Sequence, residues 1–133
     1  MIAVLDTNVF VSGIHWSGAS EKALRLWFLN KFRTVSSAQT VDEFVKIMIS
    51  FKIPMKIEDI LWWKSLILEK SELVVPGKRV GVVKDDPDDN KFIEAALEGK
   101  ADCIVTQDKH LLKIKEFKGI KIITLEEFIR LLK

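Results

Sequence analysis

The 133-residue chain has one cysteine, two histidines, three prolines and six glycines, and no apolar run near the roughly 18 residues needed to cross a bilayer. A single cysteine cannot close an internal disulfide. Cys103 lies in the apolar run Cys103-Ile104-Val105, so a packed thiol in a reducing compartment is expected. Asp6 interrupts the opening Met1–Leu5 stretch too early for the apolar segment of a signal peptide, and a cytoplasmic protein is expected. His15 and His110 do not sit at a metal-ligand spacing, which speaks against zinc. The net charge of +2 is too small to argue for a nucleic-acid partner on its own.

Apolar residues make up 48% of the chain, enough to bury a core without staples, and a single domain over residues 1–133 is expected. The charges are unevenly placed. Asp85, Asp86, Asp88 and Asp89 form an acidic knot, and Lys109, Lys113, Lys115, Lys118 and Lys121 follow it. Two solvated faces would explain this. So would a cation site beside a surface that attracts phosphate, and composition does not choose between them.

Along the chain, Ile2-Ala3-Val4-Leu5 reads as a strand buried on both faces, ended by Asp6. Gly13, Ser17, Gly18 and Ser20 mark a loop, with Ser20 able to cap a helix through Ala23, Leu24, Trp27 and Phe28 towards Lys31. A short strand around Thr34-Val35-Ser36 follows. Val41, Phe44, Val45, Met48 and Ile49 have helical spacing, and Pro54 closes that helix. Residues 57–71 form a further helix whose apolar positions, with Trp62 and Trp63, cover more than half its circumference. Either it is wedged between layers, or part of that stripe is a dimer surface. Asn90 to Leu97 is helical, Cys103–Thr106 and Gly119–Ile123 are strands, and residues 125–132 form a closing helix. Strands alternating with helices indicate an α/β domain with a mainly parallel sheet.

Functional groups in such sheets gather where the carboxyl ends of the strands meet the following loops. Asp6 and Asp108 stand there. Taken singly, each is equally a turn residue. In the knot Asp85-Asp86-Pro87-Asp88-Asp89-Asn90, one aspartate can cap the next helix and another can suit its dipole. The surplus repels at roughly 3 kcal/mol for a pair about 5 Å apart at an effective dielectric near 20, which points to cation binding. Asp89 stands directly before the amphipathic run Phe92, Ile93, Ala96 and Leu97 and is the best placed to point inward. Glu43 closes the pattern Thr40-Val41-Asp42-Glu43, which matches a capping box that would occupy it.

The ordered set of motifs resembles the PIN domains over nearly the whole chain. It comprises the strand ending Asp6-Thr7-Asn8, then Ser37-Ala38-Gln39-Thr40-Val41-Asp42-Glu43, then Asp89 ahead of Phe92-Ile93-Glu94-Ala95-Ala96, and Ala101-Asp102-Cys103-Ile104-Val105-Thr106-Gln107-Asp108. Within that family it is most similar to the toxin components of toxin–antitoxin pairs, the VapC-like ribonucleases. The resemblance implies a three-layer α/β/α domain around a mainly parallel sheet of four to five strands. It implies an active site of Asp6, Glu43, Asp89 and Asp108, with Asp89 preferred over Asp88, and with Thr7, Asn8 and Thr106 orienting the aspartates or the attacking water. Carboxylates without His or Cys suit hard cations, so one or two Mg²⁺ or Mn²⁺ ions on Asp6, Asp89, Asp108 and Glu43 are expected. Lys109 and Lys113 would bind the substrate backbone. The family implies endonucleolytic cleavage of single-stranded RNA to a 5′-phosphate and a 3′-hydroxyl, with a small antitoxin and a second copy of the chain as partners.

Three other readings compete. A dehalogenase-type phosphotransferase would want a second aspartate at the position of Asn8. A receiver domain would want a strand-terminal aspartate in mid-chain. A PIN-like module that binds RNA or a partner without cutting would not need all four acidic positions filled.

Overall fold

Alternating residues of the central strands face opposite sides of the sheet, and that alternation sorts the helices into two layers. In the structure, a computed structural model describing residues 1–132, β1 (Ile2–Leu5) turns Ala3 and Leu5 to one core and Val4 to the other. The first core is covered by α1 (Thr7–His15), α2 (Ala19–Phe28), α3 (Ala38–Ser50) and α4 (Ile57–Lys70). The second is covered by α5 (Asn90–Glu98) and α6 (Lys109–Leu112), while the closing helix α7 (Leu125–Leu131) returns to the first. The expected three layers are present.

The sheet adds β2 (Arg33–Ser37), β3 (Ser71–Val74), β4 (Cys103–Val105), β5 (Glu116–Phe117) and β6 (Ile120–Ile123), in the order β3-β2-β1-β4-β6-β5. Every neighbouring pair is parallel except β5 with β6. Six strands exceed the four to five expected. β3 exposes Glu72 and Leu73 at the sheet edge, so it lacks an apolar signature, and β5 is two residues long. From β1 the chain moves outward to β2 and β3, then crosses back to place β4 on the other side of β1. This reversal opens a crevice at the carboxyl ends of β1 and β4, the position where such sheets bind ligands.

Several local expectations change. The stretch read as a loop around Gly13 contains α1, whose β-branched residues are poor helix formers. Burial of Val9, Phe10 and Val11 overrides that preference. At Gly13 a Cβ would lie 2.6 Å from Leu24 Cδ1, so the missing side chain lets α1 and α2 approach closely. Ser20 does not cap α2; it is buried in its first turn, and Gly18 takes the cap position at φ +121°. The capping pair of α3 lies one turn earlier than expected. Thr40 N–H donates to Ser37 Oγ at 3.3 Å and Ser37 N–H to Thr40 Oγ1 at 3.0 Å, which leaves Glu43 free. α4 is not wedged between layers: Ile60 and Ile67 face the core, Trp63 packs against it, and Trp62 is 57% exposed.

α5 ends at Gly99, where a Cβ would lie 2.5 Å from Val35 Cγ1 on β2. Gly99→Ala should therefore push α5 off the sheet and lower unfolding stability by about 1–3 kcal/mol, the range for overpacking a tight contact. Urea unfolding of the two proteins tests this, and equal midpoints would refute a pinned helix end.

Candidate active site

Asp6 ends β1 and begins α1, an extended residue whose N–H donates to the Val105 carbonyl of β4 at 3.0 Å. Parallel pairing of β1 with β4 thus brings in Thr106, whose N–H donates to the Ile123 carbonyl and whose Oγ1 donates to Asp6 Oδ2 at 2.6 Å. Asp6 is 5% exposed and Thr106 fully buried. Burial raises the Asp6 pKa, the Thr106 hydroxyl and the Asn8 backbone N–H act against it, and the charges of Glu43 and Asp108 raise it further.

Asp108 lies two residues beyond Thr106 and caps the short α6. Its N–H donates to Thr106 Oγ1 at 3.0 Å, and its Oδ1 accepts the His110 N–H at 2.8 Å. Asp89 closes the 3₁₀ turn Pro87–Asp89 immediately before α5, and its N–H donates to the Asp86 carbonyl at 3.0 Å. That turn sets Asp86 and Asp89 on one side, three residues apart. The Asn90 carboxamide secures it, accepting the Val83 N–H at 2.9 Å and donating to the Pro87 carbonyl at 2.9 Å. Single oxygens of Asp86, Asp89 and Asp108 all lie within 4.8 Å of one another. Asp89 is 8% exposed, and its buried Oδ2 meets no donor among the described residues. Burial first, then a bond to Asp108 that needs a proton, then the charges of Asp86, Asp6 and Asp108 push the Asp89 pKa up to about 8.

Glu43 arrives from the second turn of α3. Thr7 Oγ1 donates to its Oε2, and Lys91 Nζ lies 2.6 Å from its Oε1. Lys91 Nζ also donates to Asp88 Oδ2 at 2.8 Å, with its own side chain 11% exposed. Burial works against the Lys91 charge, but Asp88 and Glu43 outweigh it and raise the lysine pKa. A groove of about 610 Å³ runs beside this pair, with Lys46 and Arg79 on its walls.

The four expected carboxylates thus divide in two. Asp89 and Asp108 belong to the three-oxygen cluster, and Asp6 adjoins it electrostatically through Asp89. Glu43, held by Thr7 and Lys91, adjoins Asp6 and lies outside that cluster. Asp88 faces Lys91 and solvent, and it is Asp89 that is buried. Thr7 and Thr106 hold carboxylates as expected, whereas the Asn8 side chain is exposed. Lys109 is exposed, and Lys113 is paired with Asp85, which His110 Nδ1 also approaches at 3.6 Å. Asp86 and Lys91 were not singled out in the sequence. The usable signals were Pro87, which forces the preceding residue into an extended conformation, and a lysine inside the otherwise buried run Asn90–Ala96.

A divalent cation fits these residues. Three converging carboxylates, one with a buried and unpartnered oxygen, are satisfied by a hard cation and left repelling without one.

An α/β domain with a carboxylate cluster at its strand-order reversal is a class that many chemistries share. Residues 3–110 match the family described as PIN domain, and the chain belongs to it. It is 36% identical over 129 residues to an uncharacterized protein of Methanocaldococcus jannaschii, covering 90% of this chain and 79% of the relative. Its fold is similar to a chain of the VapBC2 structure from Rickettsia felis bound to a promoter DNA fragment (TM-score 0.62, 17% identity, 93% and 98% of the two chains). It is likewise similar to a chain of VapBC-1 from nontypeable Haemophilus influenzae (TM-score 0.63, 18% identity, 95% and 99%).

The raised Asp89 pKa fixes a sign. An unfolded aspartate releases its proton near pH 4, the folded one only near pH 8. In chelator, stability at this group is therefore full below about pH 4 and is lost progressively up to about pH 8. Asp89→Asn should remove that loss, leaving the variant about 2–5 kcal/mol more stable than the parent at pH 8, and less so at pH 5. Mg²⁺ should raise the melting temperature of the parent and hardly that of the variant. Parallel stability–pH curves for the two proteins would refute the assignment.

Proposed function

We propose that this chain is a metal-dependent endoribonuclease that hydrolyses phosphodiester bonds of single-stranded RNA, and that it acts as the toxin component of a toxin–antitoxin pair. The observation that carries the reading is the buried, donor-free Oδ2 of Asp89 beside Asp86 and Asp108. Such an oxygen destabilises the fold unless a cation completes it. Membership of the PIN domain family supports the same reading.

Asp89, Asp108 and Asp86 would hold Mg²⁺ or Mn²⁺, with Asp6 adjoining them and Glu43, paired with Thr7 and Lys91, at the edge of the site. The ion, when bound, lowers the pKa of water and offsets charge on the phosphoryl oxygens. The remaining work falls to the chain. Thr106 fixes Asp6 and Thr7 fixes Glu43, so that a carboxylate can accept a proton from the attacking water. Asn8, exposed next to this pair, is assigned to orient that water. Lys109 and Lys113, together with Lys46 and Arg79 on the groove walls, would bind backbone phosphates on either side of the cut. Attack in line leaves a 5′-phosphate and a 3′-hydroxyl. A small antitoxin protein and a second copy of the chain are the partners in this reading. The exposed face of α4 with Ile57, Leu61 and Trp62 is an apolar surface available to them.

Incubating the purified protein with labelled single-stranded RNA in Mg²⁺, Mn²⁺ or excess chelator tests the activity, alongside Asp6→Asn and Asp89→Asn. Cleavage should need metal, and each variant should lose about 100-fold or more, the scale of removing one electrostatic element from such a site. Cleavage that survives chelation, or survives in both variants, would overturn the metal-dependent reading, and no cleavage under any of these conditions would leave a binding module as the better one.

A further inference from the structure

We infer that the Lys91 ammonium takes the place of a second divalent cation, so that the site holds one resident metal ion and one resident lysine. This rests on the metal-dependent reading above and settles its ion count. The carboxylates at this end of the sheet fall into two groups. Asp86, Asp89 and Asp108 present oxygens within 4.8 Å of one another, with Asp89 Oδ2 buried and unpartnered, and this group has room for one ion. Glu43 and Asp88 form the other group. Between them stands Lys91 Nζ, 2.6 Å from Glu43 Oε1 and 2.8 Å from Asp88 Oδ2.

The second group has no free inward oxygen for a metal. Thr7 Oγ1 occupies Glu43 Oε2, Lys91 occupies Oε1, and the bonded oxygen of Asp88 faces the same ammonium. A lysine 11% exposed is rare unless paired, and here it bridges two carboxylates as a bound cation would. Its place in the chain fits that role. Lys91 lies two residues after Asp89 on the first turn of α5, so the element that carries the buried metal ligand also carries the fixed charge. Lys46, exposed on α3, acts on Asp88 only through its charge and forms no ion pair with either carboxylate. Lys91 is therefore a positioning residue: it keeps Glu43 at the edge of the site without a second ion.

Counting bound Mn²⁺ by calorimetry and by electron paramagnetic resonance of the free ion tests this. The parent and Lys91→Arg should bind one ion per chain. Lys91→Met and Lys91→Gln should bind two, the second at least tenfold more weakly, because Glu43 and Asp88 then lack the ammonium that bridges them. Two ions on the parent, or one on both neutral variants, would overturn the inference while leaving a metal-dependent nuclease intact. No ion on the parent would overturn both. The parent count does not depend on how well the variants fold.

Discussion

The mutual repulsion of carboxylates brought together at the ends of β1 and β4 is the constraint that the rest of the chain is arranged to withstand. Asp6, Asp86, Asp89 and Asp108 crowd one crevice, and burial lowers the dielectric that would screen them. Each is fastened to an element whose own packing is independent of the site. Asp6 is locked by β1–β4 pairing, Asp108 by the cap of α6, and Asp86 with Asp89 by a 3₁₀ turn that Asn90 clamps from inside. Their backbones cannot draw apart to relieve the repulsion. The two cores therefore hold a local arrangement that would separate if the loops were free.

Donors are distributed unequally among these acids, and the inequality has chemical meaning. Asp6 receives the Thr106 hydroxyl, Glu43 receives Thr7 and Lys91, and Asp108 receives the His110 amide. Asp89 Oδ2 receives none. A fold stabilised only for its own sake would leave no buried oxygen without a donor. Here the chain supplies donors to the acids that must be oriented and leaves bare the oxygen that a cation can reach. Thr106 also shows how topology delivers chemistry. It stands 100 residues from Asp6, and only the return of the chain to the inner flank of β1 makes the two neighbours.

Much of this was legible in the sequence because the strands β1, β4 and β6 are short apolar runs and α3, α5 and α7 have helical periodicity. The positions of Asp6 and Asp108 followed from those strands alone. What stayed hidden lacked a pattern for physical reasons. α1 is built from residues that disfavour helix and is stabilised by tertiary burial, and β3 is an exposed edge with no apolar face. Asp89 was preferred over Asp88 from its place before the amphipathic run, but the three-residue turn that faces it inward is a geometry that spacing cannot express. Asp86 was legible as a member of the acidic knot, and spacing could not single it out within the knot for the same reason. Glu43 looked committed to its helix cap, and Ser37 with Thr40 took that task one turn earlier.

Two lysines paired with aspartates near the crevice differ in a way that assigns them different work. The pair of Lys113 with Asp85 is exposed on both sides, at 61% and 47%, and Lys113 outweighs the burial that opposes the Asp85 charge. Pairs of that kind are weak and are screened by salt, so an arriving phosphate can displace Asp85 readily. The pair of Lys91 with Glu43 is enclosed, at 11% and 20%. Removing one partner of such a pair strands the other charge, so it persists whatever the substrate does. An exposed lysine that exchanges partners suits contact with a moving backbone, and an enclosed one suits holding a carboxylate still. The basic stretch after Asp108 is thus the adaptable part of the site, and the first turn of α5 is the rigid part.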